Sequence, residues 1–322
     1  MSSPSRFILS IDPAFPPQGL EGAVVAIGNF DGVHRGHRAV IARAKALAQK
    51  LGRPCAVLTF EPHPADYFGG GAQIFRLTSR DAKAHRLAEL GLDGMIVLTF
   101  DSGLATLSAD DFLNEILVRR LGAGAVVVGY DFHFGARRSG TPAYLLEAGP
   151  KAGLIVEIVE KVVADEEGSL TAVSSTATRE ALMLGDVRGA AALLGHPWSL
   201  TGPVIHGAKL GRQLGFPTAN LVVDPACRLR HAIYAVEVAI EGQRLKGQRL
   251  KGVASFGRRP TIDNGPPLLE VYIFDFDADI YGKEIEVFFI DFLRPELKFD
   301  SLEALTAQIG RDEIAARGKL GV

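Results

Sequence analysis

Cysteine is scarce in this chain, and so is any imbalance of charge. The 322 residues hold two cysteines, Cys55 and Cys227, far apart in sequence. Cys55 sits in an apolar, strand-like run and Cys227 in a polar loop, so no disulfide framework is expected. Basic and acidic residues number 35 and 37, which gives no electrostatic reason to expect a polyanion as partner. No apolar run approaches the roughly 20 residues that a spanning helix needs, and no basic-then-apolar segment opens the chain. The expectation is a cytoplasmic protein that binds neither nucleic acid nor membrane. A monomer or a weak homo-oligomer is expected, a state that composition does not itself decide.

What is present suits two domains. Hydrophobic residues make up 47% of the chain, enough for more than one substantial core at this length. In the first half, short apolar runs (Val24–Ile27, Cys55–Phe60, Met95–Phe100, Ala125–Val128, Leu154–Val159) alternate with helical patterns at Arg38–Leu51, Arg80–Leu90, Ala109–Leu121 and Tyr144–Ala152. Buried runs without polar alternation, separated by helices, point to a parallel sheet covered on both faces. The expected fold class is therefore α/β, with a doubly wound, Rossmann-like N-terminal domain whose ligands collect at the carboxyl ends of the strands.

The rhythm changes after about residue 185. Short β-rich runs follow at Ser199–Ile205, Ile233–Ile240, Gly252–Phe256, Leu268–Phe274 and Glu284–Phe292. Two of them partly alternate in polarity, as half-buried antiparallel strands do, which suggests a small β-barrel. A terminal helix is expected from about Ser301 to Arg317, capped by Asp300 or Ser301, and the Ala/Leu-rich Arg179–Leu194 segment reads as helical and joins the domains. Residues 242 to 251 repeat GQRLK in tandem, a longer surface loop to which no function is assigned.

Four segments end at predicted strand termini of the first half. GNFDGVHRGH places Gly28, Asn29, Asp31, His34, Gly36 and His37 between a strand and a helix start, where free N–H groups favour phosphate. An ordinary strand–helix turn with two exposed histidines is equally compatible with that stretch alone. FEPHP contains His63. VGYDFHFG contains Asp131 and Phe132, with Arg137 and Arg138 following. Ser174, Ser175 and Thr176 lead into a helix carrying Arg179, and hydroxyls with an arginine one turn in can hold a triphosphate. Ser174 to Thr176 could equally be only a helix cap, and Phe132 only core.

Together these segments resemble the adenylyltransferase module of bacterial bifunctional riboflavin kinase/FAD synthetases. The second half resembles the riboflavin kinase module of the same family through GAKLGRQLGFPTANL, GVASFGRRPT, LEVYIFDFDADIYG and RPELKFDSLEALTAQIGRDEIAAR. The resemblance covers nearly the whole chain in order, and GFPTAN with the downstream glutamate is its most specific part. It implies domains at 1–184 (FMN adenylyltransferase) and 185–322 (riboflavin kinase). It implies two reactions, riboflavin to FMN and FMN to FAD, with ATP as co-substrate and Mg²⁺ in both.

In the kinase half, Thr218 and Asn220 offer neutral oxygens on one side of an extended segment, hard ligands of the kind Mg²⁺ prefers. Gly207 and Lys209 belong to a basic, glycine-rich loop suited to phosphate, though not to a Walker A sequence. The resemblance makes Glu270 the base for the ribityl 5′-hydroxyl, where pattern alone reads an outward-facing strand carboxylate. In the other half it implies attack of the FMN phosphate on the α-phosphorus of ATP, without a covalent intermediate. His34 and His37 then bind ATP phosphates, and Ser175, Thr176 and Arg179 hold the β- and γ-phosphates. Asp131 is a metal or nucleotide contact, and His63 and Phe132 line the flavin pocket. The chain departs from the family pattern at Thr178, Tyr272 and Ala232, which replace a usual aliphatic residue, histidine and glycine. Rival readings are a single active module, a flavin-binding sensor, and a nucleotidylyltransferase acting on another phosphate.

Overall fold

The computed structural model describes residues 7–70, 74–161, 173–207, 211, 214–241, 249–257 and 267–322. These fall into two compact units, one drawn from Met1–Ile74 and Ser79–Val173, the other from Phe75–Thr78 and Ser174–Val322. Among the described residues, no helix is long and apolar enough to cross a membrane.

The first unit contains strands β1 (Ile8–Ile11), β2 (Val24–Ile27), β3 (Cys55–Glu61), β4 (Gly94–Thr99), β5 (Ala125–Gly129) and β6 (Ile155–Val159). They form one parallel sheet in the order β1-β4-β3-β2-β5-β6. Its helices are α1 (Arg35–Leu51), α2 (Pro64–Phe68), α3 (Arg80–Glu89), α4 (Ser102–Thr106), α5 (Ala109–Asp111) and α6 (Pro142–Lys151). Successive strand side chains feed opposite faces. Val24, Ala26, Val57 and Val127 pack with Val40, Ile41 and Leu47 of α1 in one core, while Val25, Leu58, Ile96 and Val126 pack with Phe112, Ile116 and Leu117 in another. That is why these strands read as unbroken apolar runs.

The edge strand β1 was not expected. It is half-exposed in an alternating pattern and only four residues long, so its apolar signal is weak. The expected α-helix over Ala109–Leu121 is α-helical only at its start, where Ser108 Oγ accepts from Asp111 N at 3.0 Å. From Phe112 to Arg120 it is wound as a π-helix.

The second unit holds α7 (Ser175–Leu184), α8 (Val187–Leu194), β7 (Ser199–Pro203), β8 (Thr218–Val222), β9 (Ala232–Ile240), β10 (Leu250–Gly257), β11 (Leu268–Ile273), β12 (Glu284–Pro295) and α9 (Leu302–Leu320). The strands run antiparallel in the order β7-β12-β9-β10-β11-β8. A bridge from Ile205 to Asn220 links the chain after β7 to β8, so the sheet's two edges meet and a near-barrel forms. Tyr234, Val236, Val238 and Ile240 alternate inward to its core. Ser301 caps α9, accepting from Ala304 N at 3.1 Å.

The helical segment expected over Arg179–Leu194 forms parts of two helices. Gly185, at φ 83°, closes α7, and Asp186 caps α8 through Gly189 N at 2.8 Å. Leu182, Val187 and Leu194 share a core with Trp198, Phe75 and Leu77. The compact unit thus begins at Ser174, ahead of the 184/185 boundary expected from sequence, and recruits Phe75–Thr78 as well. The tandem GQRLK repeat lies largely outside the described residues, and its last two, Leu250 and Lys251, open β10.

Candidate active sites

In the first unit, strand order reverses between β2 and β5, and in doubly wound sheets such a reversal is where ligands bind. The GNFDGVHRGH loop follows β2, and VGYDFHFG ends β5. The loop is anchored by Gly28 N donating to Leu58 O at 3.1 Å. The Asn29 carbonyl accepts from Thr59 Oγ1 at 3.0 Å and from Lys83 Nζ at 2.8 Å. Asp31 is buried at 1% exposure.

α1 begins at Arg35 rather than Arg38 because His34 is its cap, with Nδ1 accepting from His37 N at 3.2 Å. A neutral His34 with an accepting Nδ1 carries its proton on Nε2. The two imidazoles stack, centroids 3.5 Å apart and planes 16° from parallel. A methyl at Gly36 would lie 3.1 Å from the His34 ring, so the glycine makes room for it. His37 Nδ1 is buried with no hydrogen-bond partner. Burial, then the charge of His34, then that of Lys83 hold the His37 pKa well below its ordinary value. His37 is therefore a neutral imidazole at pH 7, with an unpaired nitrogen to offer.

Asp131 is exposed, and Phe132, half-buried, stacks on Phe134 at 5.4 Å. His63 has a structural task that its sequence position did not reveal: it caps α2 through Nδ1, accepting from Ala65 N at 3.1 Å. Beside it, Tyr67 and Phe68 pack edge-on to Phe100 at 5.4 and 5.7 Å. Phe68 is 71% exposed, an apolar face of the sort a planar ligand covers. Lys83 and Thr59 were missed. Lys83 lies in a charged helical stretch, and only its i,i+4 relation to the buried Leu87 hints that it faces inward.

In the second unit, Ser174 Oγ caps α7 through Ala177 N at 3.1 Å, and Arg179 Nε donates to Phe75 O at 2.7 Å. Ser175 is half-buried and Thr176 exposed at the head of that helix. Thr178 is fully buried, its hydroxyl donating to Ser174 O at 3.0 Å, so the missing aliphatic residue leaves no unpaired hydroxyl. Ala232 is fully buried, its methyl within the barrel core, and Tyr272 packs edge-on against Phe216 and Phe274.

On the barrel, Glu270 of β11 stands opposite Asn220 of β8, and Tyr272 opposite Thr218. Strand alternation then puts Thr218, Asn220 and Glu270 on one face. Asn220 Nδ2 donates to Thr218 O at 3.2 Å, which leaves Oδ1 buried and without a partner. A Cβ at Gly207 would sit 2.8 Å from that oxygen, so glycine preserves the space before it. A buried, donor-less amide oxygen beside a hydroxyl and an open backbone cradle fits a hard cation such as Mg²⁺. Thr218 also lines a cavity of about 480 Å³ with Val204, Pro217, Val271, Ile273 and Tyr281, within the range of small-ligand pockets. Lys209 lies outside the described residues.

Glu296 is a further carboxylate that sequence reasoning did not single out. Its side chain crosses Gly257, where a Cβ would collide with it. Burial, opposed by the charges of His231 and Arg294 and aided by that of Glu270, raises its pKa.

Residues 17–177 match the family model described as FAD synthetase, and residues 194–320 that of riboflavin kinase. Proteins named bifunctional riboflavin kinase/FMN adenylyltransferase are similar along nearly the whole chain. The one from Escherichia coli K12 is 40% identical, covering 94% of each chain. That from Haemophilus influenzae is 41% identical over 92% of this chain and 94% of its own. A crystal structure described as a macrolide-efflux protein from Streptococcus pneumoniae superposes with a TM-score of 0.81 at 33% identity, covering 97% of this chain and 99% of that one.

Proposed function

Since the chain belongs to the bifunctional riboflavin kinase/FMN adenylyltransferase family, it phosphorylates riboflavin to FMN and then adenylylates FMN to FAD, and we propose how its residues divide the work. By sequence, residues 1–184 serve the transferase and 185–322 the kinase, with α7 belonging to the first by its motif and packing in the second unit.

For the kinase, Glu270 takes the proton of the ribityl 5′-hydroxyl as that oxygen attacks the γ-phosphorus of ATP, whose bond to the bridging oxygen breaks to release ADP. Thr218 and Asn220 would hold Mg²⁺, which when bound would supply positive charge against the transferring phosphate. Gly207 and Lys209 are assigned to the phosphates by their sequence motif, and the cavity beside Thr218 takes the nucleotide.

For the transferase, the FMN phosphate displaces pyrophosphate from the α-phosphorus of a second ATP. Such transfers depend on positioning and on donors already aimed at the charge that develops. His34 offers its Nε2–H and His37 its buried ring nitrogen to ATP phosphate oxygens. Gly28, Asn29, Asp31 and Gly36 shape that loop. Ser174, Ser175, Thr176 and Arg179 are assigned to the β- and γ-phosphates by their motif, and Asp131 to the metal or nucleotide. His63 orients α2, and Phe132 with the Tyr67–Phe68–Phe100 group provides an apolar face for the isoalloxazine ring. We take the protein to be cytoplasmic, a monomer or weak homo-oligomer acting on small molecules alone.

The observation that carries the reading is the presence of both family matches, in order, in one chain. The deciding experiment incubates the protein with riboflavin, ATP and Mg²⁺ and separates the flavins by chromatography. FMN followed by FAD is expected. FMN alone would leave a monofunctional kinase, and no conversion would favour a flavin sensor.

A further inference from the structure

The loop that carries the histidine pair is held in a conformation its own residues disfavour. Phe30 and Val33 have φ of 50° and 44°, the left-handed region that valine, being β-branched, adopts very rarely. Both side chains are sealed in the core, at 1% and 0% exposure. Such strain persists only where the surroundings over-determine the backbone.

At the base of this loop the surroundings are unusual. Lys83 of α3 is 1% exposed. Its ammonium donates to the Asn29 carbonyl at 2.8 Å, to Thr59 Oγ1 at 3.3 Å and to Glu61 Oε1 at 3.3 Å. The Thr59 hydroxyl donates to the same carbonyl at 3.0 Å. Lysine is almost never fully buried unless paired, and apolar replacement of a buried ion pair is often neutral or stabilising. Fold stability alone therefore gives little reason for an ammonium at this point. The carbonyl it holds immediately precedes Phe30, whose ring meets the His37 imidazole at 5.1 Å. His37 in turn stacks on His34 at 3.5 Å.

We infer that Lys83 is a positioning residue for adenylyl transfer: its clamp on the Asn29 carbonyl fixes the strained 29–33 loop and, through Phe30, the place of the His34–His37 pair. This rests on the assignment of that pair to ATP. The route is a contiguous one, from ammonium to backbone to ring to ring, and it needs no contact between Lys83 and the nucleotide. The same charge also disfavours a second cation at His37, which agrees with a pair that works in its neutral form.

The test uses the full chain with Lys83→Met and Thr59→Val, singly and combined. FAD formation from supplied FMN and ATP is measured per folded protein, with FMN formation from riboflavin as the internal control. Lys83→Met is expected to lower kcat for FAD formation about tenfold or more, as displaced catalytic groups do, while FMN formation is unchanged. The imidazole resonances of His34 and His37 should shift, because their stacking sets the ring-current environment. Thr59→Val should move both readouts in the same direction by less. The double variant should fall short of the product of the singles, since both act on one carbonyl. Unchanged kcat, or a lower kcat with unmoved histidine resonances, would overturn the inference. If Lys83→Met does not fold, Thr59→Val decides by the same two readouts. A wild-type chain that makes FMN but no FAD would instead remove the transferase reading beneath the inference.

Discussion

Asn220 Oδ1 and His37 Nδ1 are buried without a hydrogen-bond partner, and an unsatisfied buried polar atom costs about 1–3 kcal/mol. Under the proposed assignment each cost would be recovered by a ligand, a cation at the amide and a phosphate oxygen at the imidazole. Glu270, proposed as the kinase base, stands opposite Asn220 in the strand register. Glu270→Gln keeps the shape of the β11 side chain and removes the base, so FMN formation should fall by about 10²-fold or more. FAD formation from supplied FMN should persist, and assaying both flavins in one preparation checks the pair. His37 predicts a pH effect of definite sign. Its folded pKa lies well below 6.5, so between 6.5 and that lower value the unfolded chain holds the proton and the folded chain does not. Stability is full above the unfolded value and is lost as pH falls toward the folded one, by at most about 1.4 kcal/mol per pH unit. Urea unfolding at about pH 7.5 and about pH 5.5 should therefore differ less in His37→Asn than in the native chain. At this scale, the strand residues were readable because alternation assigns them a face. Lys83 was not, because a helical lysine among charged neighbours ordinarily faces water.

At the scale of elements, the buried parallel strands and their covering helices were legible, because two-faced burial leaves short apolar runs bounded by turn residues and separated by helical patterns. What escaped reading was local hydrogen bonding. The helix start at Arg35 depends on a histidine acting as cap, the turn into α2 on another, and the break between α7 and α8 on one glycine inside an Ala/Leu-rich stretch. That glycine is open to test. Gly185 sits at φ 83°, and a Cβ there would lie 2.9 Å from the Phe292 ring. Gly185→Ala combines a left-handed backbone with a close contact, so a loss of about 1–3 kcal/mol is expected. Chemical denaturation followed by far-UV circular dichroism would measure it. A continuous α7–α8 helix would instead show no loss.

For the whole molecule, the order of modules was legible from motifs, but the boundary between compact units was not, since motif and packing diverge over α7. Ser174, Ser175, Thr176 and Arg179 read as the last part of the transferase, while the helix that bears them buries Leu182 in the barrel-unit core that also holds Trp198. Phe75 and Leu77, from far earlier in the chain, join the same cluster, and Leu77 O accepts the Trp198 indole N–H at 2.9 Å. Pairwise periodicity cannot reveal such a long-range insertion, because neither segment signals its partner. A fragment cut at 184/185 therefore loses Phe75, Leu77 and Leu182 from the core that holds Trp198, and with Leu77 the acceptor of its indole N–H. Burying a large apolar side chain contributes roughly 1.5–3 kcal/mol, so losing several such partners should be severe. Trp198 is the single tryptophan of the chain, which makes its fluorescence a direct report. Emission from the 185–322 fragment should be red-shifted relative to the full chain, and its unfolding midpoint in urea lower. An unshifted emission maximum with an unchanged midpoint would mean that the barrel keeps its core without Phe75, Leu77 and α7.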